Sequence, residues 1–291
     1  MTVSRAINTP DRVSPATYAK IQNEISRQGY RPNLAARALA TRQNSMIGMV
    51  VPSLNNQVFA PVIRGAHDAA KELGFLGSIQ VINTDYDPQQ EQDAFDALAQ
   101  QAPKGVLWVS SHQQPPNIAE HLQAIRLLDD GVFGIDHAAA ISDIFRSHTI
   151  RTEQCAFLSA GVDPRGQARK AAATQLGATV FDWSGTSSVE AGRALADQAL
   201  DKGFRALVCN NDDLALGAMM SCHALGLSVP NEVGISGYND LDFAAHLSPA
   251  LTSVAMPLYE IGFAASASLL NSEYQIPEFS ASIKFRKSLA I

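Results

Sequence analysis

The chain has 291 residues, of which 46% are hydrophobic and 17% charged, a composition typical of a globular protein with about two domains. A core of ordinary size is therefore expected without metal or disulfide cross-links. Its apolar stretches fall far short of the roughly 20 residues that a membrane span needs, and no secretory signal is visible. The three cysteines, Cys155, Cys209 and Cys222, form no C-x-x-C pair, which argues against a zinc knuckle and favours a reduced, cytoplasmic setting.

Charge is unevenly distributed along the chain. The net charge is −6, but residues 1–45 carry seven basic and two acidic side chains, so this segment is +5 and the remainder is −11. A small basic segment on an acidic body is typical of a head that touches nucleic-acid phosphates. By composition alone, a solvated helical surface explains the segment equally well.

The first 45 residues read as short helices. Residues 1–8 are helix-like, and a turn follows at 9–11. Ser14 as N-cap and Pro15 at the first helical position predict the start of a second helix, and Gly29 predicts its end. Asn33 is placed to cap a third helix over 33–41, which is short and therefore needs a partner to form.

From residue 45 onward, short apolar strands alternate with amphipathic helices. We predict strands over 46–51, 79–82, 105–109, 156–159, 178–181, 206–209 and 233–236, and helices over 60–73, 91–101, 166–176, 189–202 and 214–225. Such alternation indicates βαβ units around doubly wound parallel sheets that are buried on both faces. Cys155 and Cys209 fall within apolar runs, so we expect buried core thiols.

Five stretches carry a family resemblance in chain order. They are TVSRAIN with DRVSPAT, GYRPNLAARALAT, IGMVVPSLNNQVFAPVIRG, CNNDDLALGA, and GISGYND followed by LSPALTSV. Together they resemble the lac repressor family, and in particular its gluconate-type repressors. The resemblance implies a homodimeric transcriptional repressor whose affinity for operator DNA is set by a small effector.

The resemblance also implies a division of the chain. Residues 1–44 would form a partial all-α helix-turn-helix headpiece with a hinge helix over 33–41. Residues 45–291 would form an effector-binding and dimerisation core like the periplasmic sugar-binding proteins. In that core, 45–135 with 257–282 would make one subdomain, and 136–256 with 283–291 the other.

The candidate DNA-reading residues lie at the start of the chain. A recognition helix needs short polar side chains near its N-terminus and an arginine that reaches guanine or phosphate. Thr2, Ser4 and Arg5 meet this requirement, and Asn8 lies further along.

The hinge residues are implied by the resemblance. Leu39 matches a leucine that wedges into a base step of the minor groove, with Asn33 and Ala36 on the approach face; an apolar wedge of this kind kinks the duplex. The alternative is that Leu39 is an ordinary surface or core leucine.

Two departures from the family qualify this reading. About fifteen residues that form the first headpiece helix in relatives do not precede Thr2, which suggests a misassigned start codon or a truncated gene. The apolar residues Val3, Ile7, Ile21 and Ile25 then lack a packing partner, so we expect weak operator binding. The segment 124–136 is also about ten residues shorter than in relatives, and 127–129 is expected to keep part of a strand.

Polar residues that follow the predicted strands are the candidate effector contacts, because ligands of parallel α/β sheets bind beyond the carboxyl ends of the strands. Asn55, Asn56 and Phe59 follow the first strand. Amides both donate and accept hydrogen bonds, and an aromatic ring can stack on a sugar. The alternative for Asn55 and Asn56 is a simple turn.

The resemblance adds further effector contacts. Arg169 matches an effector-binding arginine, whose planar fork suits vicinal hydroxyls or a carboxylate; the alternative is an exposed helix residue. Asn211 and Asn239 match ligand contacts, and Asp129 is a weaker candidate because its loop is shortened. We expect Asp212 to be a helix N-cap.

The effector class is also suggested by the resemblance. Asn239, Ser187 with Ser188, and the Met256-Pro257 pair resemble gluconate-type repressors, although Leu258 stands where an arginine often follows. A sugar acid or polyol is expected, with no cofactor and no metal.

Other functions fit the sequence less well. An enzyme is disfavoured because nucleotide-binding, nucleophile-elbow and zinc-protease motifs are absent and the seven histidines are dispersed. A periplasmic sugar-binding protein is opposed by the absence of a signal peptide and by the basic head with Arg5 and Leu39. If the first headpiece helix is missing, a sugar-binding core protein without effective DNA binding is the alternative.

Overall fold

The computed structural model describes residues 2–8, 10–29, 46–112, 114–129, 131–147 and 151–289. The chain forms two compact units, one ending at Ser45 and the other beginning at Met46. Within the described segments, no helix is long and apolar enough to cross a membrane.

The first unit contains helices α1 (Thr2–Asn8) and α2 (Pro15–Gln28), with a turn of 3-10 helix at Pro10–Arg12. The ends of α2 are as predicted: the side chain of Ser14 accepts a hydrogen bond from the backbone N–H of Thr17, and Gly29 ends the helix with a φ of 60°. Ala6 is buried, whereas α2 has no buried side chain. The predicted hinge helix over 33–41 lies outside the described residues.

The second unit alternates helices and strands along the chain. Its α-helices are α3 (Phe59–Glu72), α4 (Pro88–Gln101), α5 (His137–Ser147), α6 (Pro164–Gln175), α7 (Val189–Asp201), α8 (Asp212–Ala224) and α9 (Leu258–Leu270). Short 3-10 turns occur at Thr152–Gln154 and Asp242–His246. Helices α4 and α6 begin with proline at the first turn, capped by the side chains of Asp87 and Asp163.

Four strands form a parallel sheet in the order β2–β1–β3–β4. They are β1 (Met46–Val51), β2 (Ser78–Asn83), β3 (Val106–Val109) and β4 (Ala124–Leu127). Met49 in the central strand β1 lies between Val81 and Leu107. We call this sheet with α3, α4 and α9 the four-stranded half.

Six strands form a second sheet in the order β10–β9–β8–β7–β5–β6, in which only the β9–β10 pair is antiparallel. They are β5 (Cys155–Ala160), β6 (Thr179–Trp183), β7 (Ala206–Cys209), β8 (Gly234–Asn239), β9 (Thr252–Ala255) and β10 (Ser282–Lys284). We call this sheet with α5 to α8 the six-stranded half.

The central strands of each sheet are buried on both faces, as predicted for a doubly wound fold. On the four-stranded sheet, Phe95 of α4 packs on one face and Val62 of α3 on the other. On the six-stranded sheet, Leu195 of α7 packs on one face and Ile141 of α5 on the other. Continuous apolar strands are required because neither face meets water. All three cysteines are buried, in agreement with the expectation for Cys155 and Cys209.

Glycines bring two helix pairs into unusually close contact. A Cβ at Gly262 of α9 would lie 2.0 Å from the carbonyl oxygen of Val62 in α3. A Cβ at Gly217 of α8 would lie 2.2 Å from the carbonyl oxygen of Val189 in α7. Backbone atoms cannot turn aside as side chains can, so each half requires glycine at its helix contact.

The predicted strands and helices are confirmed within a few residues at their ends, but several elements were not predicted. These are α5, α9, β9 and β10, which fall where the apolar pattern is short or continuous. The strand expected over 127–129 ends at Leu127, because Leu128 turns out of it with a φ of 67°. Ser282, which we assigned to the first subdomain, pairs with Ala255 in the six-stranded sheet.

Candidate effector site

Two arginines of helix α6 are buried at the carboxyl end of β5. The strand ends at Ala160, and Asp163 caps the helix by accepting hydrogen bonds from the backbone N–H groups of Arg165 and Gly166. Arg165 and Arg169 are four residues apart and therefore lie on the same face of α6. Their exposed fractions are only 5% and 7%, so both charges need partners inside the protein.

Arg169 is held by three neutral groups. Its Nε donates to Oδ1 of Asn210 at 2.6 Å, and its Nη1 lies 3.4 Å from Nδ1 of His137. Its guanidinium carbon lies 4.2 Å from the centre of the Tyr238 ring, a cation–π contact. The position of Arg169 excludes the alternative of an ordinary exposed helix residue.

Arg165 is instead held by carboxylates. Its Nη1 donates to Oδ1 of Asp129 at 3.3 Å and to the carbonyl oxygen of Ser110 at 3.1 Å, and its Nη2 pairs with Asp163 at 2.5 Å. Phe59 lies beneath it, 5.9 Å from ring centre to guanidinium carbon. Ser110, Asp129 and Phe59 all belong to the four-stranded half, so Arg165 links the two halves.

The two arginines therefore differ in electrostatic environment. Burial lowers the pKa of Arg169, and within the described part of the chain no carboxylate lies within ion-pair distance of it. Arg165 is also desolvated, but Asp163 and Asp129 raise its pKa above the ordinary value. Burial opposes ionisation of Asp163, yet the two arginines hold the pKa of its carboxyl below the usual value.

His137, at the start of α5, is a further buried ionisable group of this cluster. Desolvation and the charge of Arg169 lower its pKa to about 3, so the imidazole is neutral near pH 7. Its Nε2 lies 2.8 Å from the carbonyl oxygen of Leu128, and its Nδ1 lies 2.9 Å from the hydroxyl of Tyr238.

The other predicted contacts lie at strand ends in separate small groups. Asn56 donates through Nδ2 to the hydroxyl of Tyr86 at 3.2 Å, whereas Asn55 is exposed. The pKa of Tyr86 is raised first by burial and then by the charge of Asp163, which places this pair beside the arginines.

Asn211 caps α8 and donates through Nδ2 to Oγ of Ser187 at 2.5 Å. Asp212 is therefore not the N-cap that we expected: it is the first helical residue, fully buried, and accepts hydrogen bonds from Ser253 and the backbone of Leu241. Burial raises the pKa of Asp212 to about 7.

Asn239 ends β8 in a left-handed conformation, with a φ of 107°. Its side chain is half-buried, and no contact of this residue with the two arginines is seen in the described segments. The structure thus brings Asp129 and Phe59 together at Arg165, one helical turn from Arg169, and places Ser187, Asn211 and Asn239 at other strand ends of the six-stranded half.

Sequence reasoning missed several residues of this cluster. Arg165 follows β5, as Arg169 does, so its position after a strand already marked it as a candidate contact. Asn210 directly precedes Asn211 and carried the same signal. Tyr238 lies within an apolar strand, and His137 in a segment where no element was predicted, so neither was distinguishable from core.

Across the described segments, no group of three or more histidine, cysteine, aspartate or glutamate side chains is arranged to hold a metal ion. The buried carboxylates that exist are instead paired with arginine or with hydroxyl and amide donors.

The predicted DNA-reading residues fall into two classes. Thr2, Ser4, Arg5 and Asn8 all lie on α1, and the side chains of Thr2 and Arg5 are exposed. Val3 is 51% exposed. Asn33, Ala36 and Leu39 lie outside the described residues, so their proposed contacts in the minor groove remain a prediction.

Comparison with known proteins decides the family. Residues 44–129 match the model for periplasmic binding proteins and sugar binding domain of the LacI family, and residues 144–275 match that for a periplasmic binding protein-like domain. The chain is 30% identical to the HTH-type transcriptional regulator GntR of Escherichia coli K12, over 93% of this chain and 87% of the relative. The chain belongs to the LacI family of transcriptional regulators.

Solved structures of LacI-family proteins share the fold. The transcription regulator GntR from Chromobacterium violaceum is 28% identical and superposes with a TM-score of 0.72, over 84% of this chain and 98% of that one. The lac repressor dimer bound to operator and the anti-inducer ONPF is 22% identical, with a TM-score of 0.84 over 99% and 95% of the two chains. These LacI-family relatives are regulators of transcription rather than enzymes, as the motif search predicted.

Proposed function

We propose that this LacI-family chain is a repressor whose affinity for operator DNA is controlled by a sugar acid. The observation that supports the effector class is Arg169, a buried guanidinium with no carboxylate within ion-pair distance in the described part of the chain.

The hydrogen bonds around Arg169 favour an anionic ligand. Asn210, His137 and the Tyr238 hydroxyl engage three of the five N–H donors of Arg169, and all three partners are neutral, so two donors remain for a charged acceptor. A buried positive charge is costly unless it is paired, and a ligand carboxylate supplies the missing charge in a two-pronged geometry. Asp163 forms its ion pair with Arg165, and Asp129 forms its ion pairs with Arg165 and Arg126.

The predicted contacts at the other strand ends suit the hydroxyl groups of a sugar acid. Asn56, Asn211, Ser187 and Asn239 offer neutral donors and acceptors, which bind hydroxyls without requiring further charge. Phe59 contributes an apolar surface beneath Arg165. We assign the carboxylate end of the ligand to Arg169 and its polyol chain to these side chains.

The remaining parts of the proposal follow from the family. The names of the relatives describe transcription regulators, and the lac repressor structure is described as a dimer bound to operator. We propose that this chain also acts as a homodimer on operator DNA in the cytoplasm, with α1 reading base edges through Thr2, Ser4, Arg5 and Asn8.

The effector class is tested with a matched ligand pair. Gluconate and glucitol have the same polyol chain and differ in carboxylate versus hydroxymethyl at one end. We expect gluconate at about 100 times its Kd to raise the free energy of unfolding by about 2.7 kcal/mol, with little effect of glucitol at the same concentration. Equal binding of the two ligands in calorimetry contradicts an anion site.

The role of Arg169 is tested by substitution. Arg169→Gln should weaken gluconate binding by about 100-fold, because the interaction between the ligand carboxylate and a buried charge is lost. Arg193→Gln, at an exposed position of α7, is the matched control and should leave affinity unchanged. Operator fragments selected from genomic DNA then show whether gluconate changes DNA affinity in the wild type and not in Arg169→Gln.

A further inference from the structure

The side chain of His137 joins the two halves of the second unit. It belongs to α5 in the six-stranded half and is 6% exposed. Its Nε2 reaches the carbonyl oxygen of Leu128, just beyond β4 in the four-stranded half, at 2.8 Å. Its Nδ1 faces Tyr238 in β8 and Arg169 in α6, at 2.9 and 3.4 Å.

The partners of His137 fix its tautomer. A carbonyl oxygen only accepts hydrogen bonds, so Nε2 must carry the proton that is donated to Leu128. Nδ1 therefore carries the single acceptor lone pair of the ring, which accepts from the Tyr238 hydroxyl at 2.9 Å and lies 3.4 Å from Nη1 of Arg169. A single neutral imidazole thus connects the guanidinium of Arg169 to the backbone of Leu128.

Leu128 occupies a backbone position where a small change matters. Its φ of 67° lies in the left-handed region, which is unfavourable for a residue with a γ-branched side chain. Its N–H donates to the carbonyl oxygen of Phe133, and the N–H of Ile135 donates to that of Asp129. These bonds tie Leu128 and Asp129 to Phe133 and Ile135, where the chain first passes from the four-stranded to the six-stranded half.

We propose that His137 is a positioning residue that couples Arg169 to the segment 128–136. The inference rests on the proposed function in that Arg169 is the effector contact. When a ligand carboxylate draws Nη1 of Arg169 toward itself, the 3.4 Å contact between Nη1 and Nδ1 of His137 is lost. Nδ1 then keeps the Tyr238 hydroxyl as its partner. The ring then turns about that bond, and its hydrogen bond to Leu128 changes with it.

Two substitutions separate the two contacts of His137, the one to Arg169 and the one to Leu128. In His137→Gln, the amide nitrogen reaches the position of Nε2, so the bond to Leu128 is kept while the acceptor at Nδ1 is lost. In His137→Asn, the amide oxygen takes the position of Nδ1, so the acceptor for Arg169 is kept while the bond to Leu128 is lost.

The closing experiment measures amide hydrogen exchange of 124–136 in the ligand-free full chain. Arg169→Gln and His137→Asn should each speed exchange about fivefold, the effect of one lost hydrogen bond, and the double variant should be no faster than His137→Asn. His137→Gln should exchange as the wild type does and should no longer respond to Arg169→Gln. Exchange within α8 is the control for overall folding.

The proposed coupling would be overturned if Arg169→Gln and His137→Asn had additive effects on the exchange rate. It would also be overturned if Arg169→Gln sped exchange as much in the His137→Gln background as in the wild type. The ¹⁵N spectrum of the His137 ring adds a readout that packing alone does not move: its Nδ1 signal should shift in Arg169→Gln. None of these measurements requires an effector. Failure of gluconate to bind in calorimetry therefore contradicts the proposed function, whereas the coupling through His137 is tested by hydrogen exchange alone.

Discussion

Nη1 of Arg165 in the six-stranded half lies 3.3 Å from Oδ1 of Asp129 in the four-stranded half. The same guanidinium pairs with Asp163, the cap of its own helix. Both ion pairs are largely buried, so water does not replace either partner when one is removed. Arg165 is thus both an anchor of α6 and a link between the two sheets.

Replacing Arg165 with methionine should be strongly destabilising. The substitution leaves the carboxylate of Asp163 without its ion-pair partner and that of Asp129 with Arg126 alone, and we expect the free energy of unfolding in urea to fall by about 3–5 kcal/mol. Arg126→Met is the control, because Arg126 also pairs with Asp129 but is 34% exposed. Its loss should be below about 1 kcal/mol. Equal losses of unfolding free energy in the two variants would contradict the view that burial makes the Arg165 ion pairs important for stability.

Gly262→Ala should separate α9 from α3. The added Cβ would lie 2.0 Å from the carbonyl oxygen of Val62, so the helices must move apart, at a cost of about 1–3 kcal/mol. Gly185→Ala is the control, since its nearest contact is the side chain of Trp183, which is 37% exposed and free to turn. Thermal unfolding of both variants measures the difference, and similar melting temperatures would refute it.

His137 should make the protein sensitive to mild acid. Its pKa is about 3 in the folded state and about 6.5 when unfolded. The unfolded chain therefore binds a proton first, and stability present above pH 6.5 is lost as the pH falls toward 3. At pH 5 the loss from this group is about 2 kcal/mol relative to neutral pH.

His137→Asn should remove that contribution, so the difference in unfolding free energy between wild type and variant should change by about 2 kcal/mol from pH 7 to 5. Wild type and variant must be compared because Asp212 has the opposite effect. Its pKa is raised from 3.8 to about 7, so its contribution to the stability of the protein is lost as the pH rises through that range. The exposed His223→Asn is the control, and an identical pH dependence in both variants would count against the assignment.

The three thiols should be unreactive in the folded protein. Cys155, Cys209 and Cys222 are all buried, and burial raises the pKa of Cys155 and of Cys222 to about 11, so little of the reactive thiolate is present. A chromogenic disulfide reagent should label no thiol in buffer and three in urea. Rapid labelling of one thiol in buffer would show that its half opens readily.

Much of the fold was predictable because it depends on local pattern. The apolar runs that became β1, β5 and β7 and the helix starts at Ser14 and Ser188 are set by neighbouring residues. By contrast, α9 is apolar on almost every side, and β10 has three residues. Their places depend on α3 and β9, which are distant in the chain.

The sequence by itself determined the family and the edge of each sheet where polar residues gather. It identified Arg169, because a strand exit and a family match coincide there. The headpiece helices also followed from local signals at Ser14, Pro15 and Gly29.

Only the tertiary structure decided which of the polar groups carry unbalanced charge. Arg165 and Arg169 have the same side chain and lie one helical turn apart, yet carboxylates surround one and neutral groups the other. That difference arises because Asp129 comes from the opposite sheet and His137 from the segment that joins the two halves. Pairing of charges inside a protein depends on distances in space, which spacing along the chain does not specify.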